Sequence, residues 1–386
     1  MHTPISITGI ASVSALGVTQ EEVWQNYLAK KPLFSKTNAL SDTEIWGATI
    51  TLEAEAAVQK LQLSNSAYQK LDRSVLLAII ASKQAFSLKK YATKKVGINI
   101  GSSRGATQLF ETYHKQFIED RHISAFTSPT TTLGNISSWV GQELGVDGVE
   151  IGHSVTCSTA LHALLNGIAW LRADMADAFI VGGSEAALTP FTIAQMQALK
   201  LYSKSKNVMA CESLRLQKKE NSLVLGEGAG VAVLEKGISE RTLAVISGYG
   251  FASEKLEHNS SISENAICFQ KSMKMALQTA ALRDVDVVVM HAPGTVKGDL
   301  AEFNAVVKVF GNKLPLLTTN KWIIGHTFGA SGMLSVEMGV WMLQHNKLIE
   351  NPFFENQRHL PTQLQHIMIN AVGFGGNAVS IIISKP

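Results

Sequence analysis

Cysteine is scarce in this 386-residue chain: its three copies, at 157, 211 and 268, are too few and too scattered for a disulfide framework or a CxxC zinc site. They read as reduced thiols, and no metal centre is expected. Charge is thin as well. Asp, Glu, Lys and Arg make up 17% of the residues and net to +3, with no polybasic tail for nucleic acid and no acidic run. Any charged partner must be met by a local patch. No apolar run nears the roughly 18 residues of a membrane span. The opening MHTPISITGIASVSALG lacks Lys and Arg and is broken by Gly9, so a secretory leader is not expected and the cytoplasm is the default location. No Pro-, Gly- or Ser-rich linker divides the chain. What is present is apolar bulk, 46% of residues, enough for a large core in one big domain or two fused ones.

Short apolar strands alternate with longer amphipathic helices, the pattern of an α/β layered fold. SITGIASVS, KKVGINIGSS, DAFIVGGSEA, GAGVAVLEKG and LAVISGYGFAS read as strands, followed by DVDVVVMHAPG, PLLTTNKW and NAVSIIISK. EEVWQNYLAK, RSVLLAIIASKQAF, TALHALLNGIAWLRADM, ENAICFQKSMKMALQTAAL and GMLSVEMGVWMLQ read as helices. The halves echo each other: CSTALHALLNGIAWLR and TFGASGMLSVEMGVWMLQ are both small-residue starts feeding a long apolar helix, a sign of internal duplication. In a pseudo-symmetric fold those two helix starts meet, and Cys157 and His326 face one pocket.

A cysteine at a helix start sits beside unpaired N–H groups and the positive end of the helix dipole, which favours thiolate; the plainer reading of Cys157 is a small core residue. Other motifs favour chemistry. VVVMHAPGT places His291 at the carboxyl end of a strand, where open α/β sheets put their sites. NKWIIGHTFGASG sets His326 among small residues that let a ligand approach. VGFGGNA packs glycines around Phe374 in a loop whose N–H groups could point at an oxyanion, or that merely turns the chain.

In order and wording these motifs, with GSSRG at 101–105, VGGSEA at 181–186 and LGEGAG at 225–230, resemble the β-ketoacyl-acyl-carrier-protein synthases, elongating condensing enzymes of the thiolase superfamily. The resemblance runs nearly end to end. It implies an α/β fold, a thiolase-like five-layered α-β-α-β-α sandwich of two duplicated halves, usually dimeric. Residues 1–240 would hold the nucleophile and 241–386 both histidines. It also implies that Cys157 takes the acyl chain and that His291 and His326 stabilise the enolate of a decarboxylated malonyl thioester. Lys321, paired with Glu302, would tune the histidines. Thr295 would anchor the pantetheine arm, Phe374 would gate the acyl pocket and help form the oxyanion hole with its N–H, and Gly375 would join them in binding substrate. No resident cofactor is implied, since the phosphopantetheine arm arrives on the carrier.

Two departures stand out: HAPGT has Pro293 where the family usually has threonine, removing a hydroxyl and a backbone donor, and ESLR replaces an RPFD-like stretch. They suggest a specialised or secondary-metabolite synthase. A degradative thiolase would carry a second cysteine in the GFGG loop, and a priming synthase an asparagine at 326; neither is present. A non-catalytic partner subunit that sets chain length is the rival, weakened by the intact Cys157. The implied partners are an acidic acyl carrier protein and a second subunit, identical or related. Lys200, Lys204, Lys206, Arg215, Lys218 and Lys219 cluster in sequence as a docking patch, or as a merely solvated loop.

Overall fold

The computed structural model describes residues 3–37, 44–133, 135–255, 262–356 and 359–386. The strands in chain order are β1 (Ile5–Ser14), β2 (Ser35–Thr37), β3 (Ile45–Ala48), β4 (Val96–Gly101), β5 (Glu150–Ile151), β6 (Ala178–Glu185), β7 (Leu225–Gly226) and β8 (Gly228–Lys236). They continue with β9 (Ala244–Ser253), β10 (Val287–Val289), β11 (Leu316–Thr318), β12 (His366–Gly373) and β13 (Asn377–Ser384). β2, β3 and β7 form a small side sheet; the others join in the order β11-β10-β12-β13-β9-β1-β8-β6-β4-β5.

Read inward from either edge, the array repeats itself. β5, β4 and β6 run parallel, as do β11, β10 and β12. β8 and β1 then follow antiparallel in one half, and β13 and β9 in the other. The helices Thr159–Arg172 and Ser331–His345 occupy equivalent places, each entering the strand third from its edge, so the echo in the residues is a structural duplication. The halves are also stitched together: β1 pairs β9 from Ile5 to Ile7 and makes one continuous ten-stranded array, a seam that no residue pattern announced.

The two long helices pack on each other and on strands of both halves, forming the middle layer. Ser331–His345 is buried from Ser331 through Leu343, as expected of a helix apolar all round. Arg73–Ala85 covers β1, β6 and β8 on one outer face, and Ile267–Ala280 covers β9 and β13 on the other. This gives the expected five layers. β12 was not foreseen as a strand, because Asn370 interrupts its apolar run. Among the described residues no helix is long and apolar enough to cross a membrane.

Candidate active site

Cys157 lies just before the Thr159–Arg172 helix rather than in its first turn, behind Thr156 at φ +48°. Side chains of the helix start tie this turn down. Thr159 Oγ1 accepts the Val155 N–H at 2.9 Å and donates to the Thr156 carbonyl at 2.6 Å, and Ser158 Oγ donates to the Val155 carbonyl at 3.0 Å. Gly373, from the other half, closes against it. A Cβ there would fall 1.9 Å from Thr156 Oγ1, so any side chain would push the Phe374 loop off the cysteine. Among the described residues no turn or loop hydrogen bond uses the Cys157 or the Phe374 N–H.

His291 follows β10 and is held by Glu302. The Glu302 carboxylate accepts the His291 N–H at 2.9 Å, the Ala292 N–H at 2.8 Å and Asn370 Nδ2 at 3.2 Å. This corrects the expected Lys321–Glu302 ion pair. Among the described residues no such pair forms, and Glu302 acts on the histidine through its backbone while Lys321 acts through charge. Burial pushes the Glu302 carboxyl up to about 7, against the pull of those donors and of Lys321. His326 is fixed by backbone bonds across the duplication, its N–H to the Val224 carbonyl at 2.7 Å and its carbonyl from Gly226 N at 3.1 Å. Its Nδ1 lies 2.9 Å from Ser331 Oγ. The imidazole centroids of His291 and His326 stand 5.2 Å apart at 83°.

Burial, reinforced by the nearby Lys321 charge, holds both imidazoles well below the ordinary histidine range, so each is neutral at pH 7 and carries one N–H. Among the described residues His291 Nδ1 is buried without a hydrogen-bond partner. An orphaned lone pair is better tolerated than an orphaned N–H, which favours the tautomer with the His291 proton on Nε2. Burial brings Lys321 down to about 8, against the opposing charges of Glu302 and Cys157. The thiolate expected at a helix start meets the same burial. The Cys157 thiol is pushed up to about 12, with Glu185 adding to the rise and Lys321, Arg104 and its own N–H pulling back. Alkylation of Cys157 by iodoacetamide should therefore keep rising with pH through 9. A plateau near pH 7 would show a preformed thiolate.

Cys157, His291 and His326 line one cavity of about 730 Å³, together with Pro293, Thr295 and Phe374. Thr295 Oγ1 also caps the Val296–Phe310 helix, accepting the Gly298 N–H at 3.1 Å. Gly375 does not line the cavity; at φ +108° it serves the turn between β12 and β13. The sequence-clustered basic residues separate. Lys200, Lys204 and Lys219 are exposed at the cavity wall, where Lys297 joins them. Lys206 is exposed but not part of that wall, and Arg215 pairs with Glu212 at 2.8 Å. Lys218 is no surface residue at all: it is buried in an ion pair with Asp299 at 2.6 Å. Asp299 also accepts the Gly294 and Thr295 N–H groups at 3.0 and 3.2 Å, so the pair braces the turn after His291.

Glu185 was missed as an individual residue. Buried at the end of β6, it accepts Ser102 Oγ, Ser103 N, Arg104 N and Gly329 N at 2.7 to 3.1 Å and locks the two loops flanking the cysteine. Its only sequence signal was a carboxylate closing an otherwise apolar, glycine-rich strand.

Residues 2–238 match the family described as Beta-ketoacyl synthase, N-terminal domain, and residues 243–355 match Beta-ketoacyl synthase, C-terminal domain. The chain belongs to the β-ketoacyl synthase family. By class it is thus a condensing acyltransferase, as the motif order implied. Among its relatives, the 3-oxoacyl-(acyl-carrier-protein) synthase 2 of Vibrio cholerae is 26% identical over 416 residues, spanning 99% of each chain. That of Coxiella burnetii is 27% identical over 410 residues, spanning 99% of this chain and 98% of the other. A β-ketoacyl synthase from Burkholderia phymatum superposes over all of both chains with a TM-score of 0.84 at 20% identity. A type II polyketide ketosynthase solved with its acyl-carrier protein and bound to a hexaketide also covers both chains fully, with a TM-score of 0.86 at 18% identity. A ketosynthase in complex with its chain length factor from Xenorhabdus doucetiae gives 0.83 at 18%, over 100% of this chain and 98% of that one. At such identities these structures speak for the thiolase-like fold alone.

Proposed function

We propose that this β-ketoacyl synthase is itself catalytic and joins a Cys157-bound acyl chain to malonyl-acyl carrier protein, giving a β-ketoacyl-carrier product. The convergence of Cys157, His291 and His326 on one cavity carries the reading. Cys157 sulfur attacks the acyl thioester, the N–H groups of Cys157 and Phe374 hold the oxyanion, and the carrier thiol leaves with the proton. The malonyl carrier then enters. Its C–C bond to the carboxylate breaks, carbon dioxide departs, and the enolate oxygen takes hydrogen bonds from His291 and His326. The enolate carbon attacks the acyl carbonyl and expels Cys157 as thiolate. No resident cofactor is needed, because the pantetheine arm comes with the carrier. The test is condensation by the purified chain with acyl- and malonyl-carrier: product without any other subunit supports the reading, and turnover only after a related subunit is added favours the chain-length partner.

For His326 to donate from Nε2 while neutral, its Nδ1 must accept, and Ser331 Oγ is placed to donate to it. Thr327 N and Thr327 Oγ1, both 3.2 Å from Ser331 Oγ, can donate to that oxygen in turn. Ser331→Ala should slow malonyl decarboxylation about 10-fold or more by freeing the tautomer, with Cys157 acylation little changed. Unchanged carbon dioxide release would remove Ser331 from this role.

The carrier docks, on this reading, at the lysine-rimmed mouth. Lys204→Glu with Lys219→Glu should raise KM for carrier substrates several-fold, more at low salt than at high, and leave short pantetheine thioesters unaffected. A KM insensitive to both charge and salt would return these lysines to ordinary surface.

A further inference from the structure

The GSSRG turn contains a residue that the condensation above does not use. Beyond Cys157 lies a second cavity of about 360 Å³ that shares Cys157, Phe328 and Phe374 with the first. A chain attached to Cys157 therefore has two ways to lie: back along the entry cavity, or onward into this chamber. The chamber is not a hydrocarbon sleeve. Arg104, Thr107 and Glu111 contribute polar groups to its wall.

Arg104 lines the second cavity next to Phe328, one of the residues the two cavities share. Its backbone is pinned by Glu185, its Nη2 donates to Gln195 Oε1 at 2.6 Å, and its guanidinium lies 5.2 Å from the Phe328 ring centroid. Of the five N–H donors a guanidinium carries, that one bond uses a single donor. Among the described residues no carboxylate forms an ion pair with it; Glu185 and Glu111 influence it only through charge, as Cys157 does. The side chain is partly buried, and burial pulls its pKa below the usual arginine value. Packing an alkyl chain alongside would strip water from these donors and return nothing. An oxygen acceptor on the chain would take them up in charge-assisted bonds.

We propose that Arg104 selects acyl groups bearing an oxygen acceptor near the thioester, a keto or carboxylate oxygen, over plain alkyl chains at Cys157. The inference rests on Cys157 being the acyl acceptor. It is tested on the full chain by competition between length-matched pantetheine thioesters, octanoyl against 3-oxooctanoyl and butyryl against succinyl, with the Cys157 adducts weighed by mass spectrometry.

The unaltered chain should load the oxygenated member of at least one pair about 10-fold faster. The first pair reports a keto acceptor and the second a carboxylate. Arg104→Met should bring the ratio to one or below, and Arg104→Lys should keep part of it. Any effect of the Arg104 charge on the thiol itself is common to both members of a pair and cancels in the ratio. A uniform slowing with the ratio unchanged in Arg104→Met overturns the proposal, as does an alkyl preference in the unaltered chain. Alkyl loading without oxygen preference leaves the condensing reading standing, whereas no adduct from any donor overturns both.

Discussion

Cys157→Ala is expected to lower acyl transfer and condensation by at least about 10³-fold, because among the described residues no other thiol lines the cavity and the proposed covalent intermediate would have nowhere else to form. The fold should survive. Cys157 precedes the helix instead of building it, and the change removes one buried sulfur at a cost of roughly 1 kcal/mol. Circular dichroism and a thermal melt check the fold, and intact-protein mass after incubation with acyl-carrier checks the adduct. Full condensing activity in a folded Cys157→Ala protein would end the nucleophile assignment.

Replacing either histidine should divide the reaction in a different place. On the proposed mechanism His291→Ala and His326→Ala each remove one donor to the enolate oxygen, a loss that costs about 10² to 10³ in rate where oxyanion donors have been deleted. Carbon dioxide release from malonyl-carrier should fall by that factor in each variant. Self-acylation of Cys157 should persist, because the oxyanion donors proposed for it, the N–H groups of Cys157 and Phe374, belong to neither histidine. Normal carbon dioxide release in both variants would contradict the enolate role. Loss of acylation as great as loss of decarboxylation would place the histidines in the first half-reaction.

The parts of this site that were legible in the residues are those the chain encodes locally. Cys157 and His291 each precede a helix, His326 lies between the short helix Lys321–Ile324 and the start of Ser331–His345, and the echo between the two long helices already placed Cys157 and His326 together. What was hidden depends on tertiary partners. Lys218 reads as one more lysine in a basic run, yet Asp299, 81 residues away, draws it into the interior. Glu302 was expected to meet a lysine, but backbone N–H groups of the His291 turn reach its carboxylate first. Glu185 gains its four donors from loops up to 144 residues distant, which no local pattern records. The surroundings of the thiol divide in the same way: helix-end electrostatics is visible in sequence, whereas the burial opposing it emerges only in the folded chain.

Following one cysteine decides whether this chain is the subunit in which the chain-extending bond forms. The purified chain is incubated with acyl-carrier alone and then with malonyl-carrier, and the proteolytic peptide containing Cys157 is weighed after each step. This peptide should gain the mass of the acyl group in the first step and lose it in the second, as carbon dioxide and a two-carbon-longer β-ketoacyl-carrier appear. An unmodified Cys157 peptide in the first step, with an acyl group found only on an added partner subunit, would contradict it.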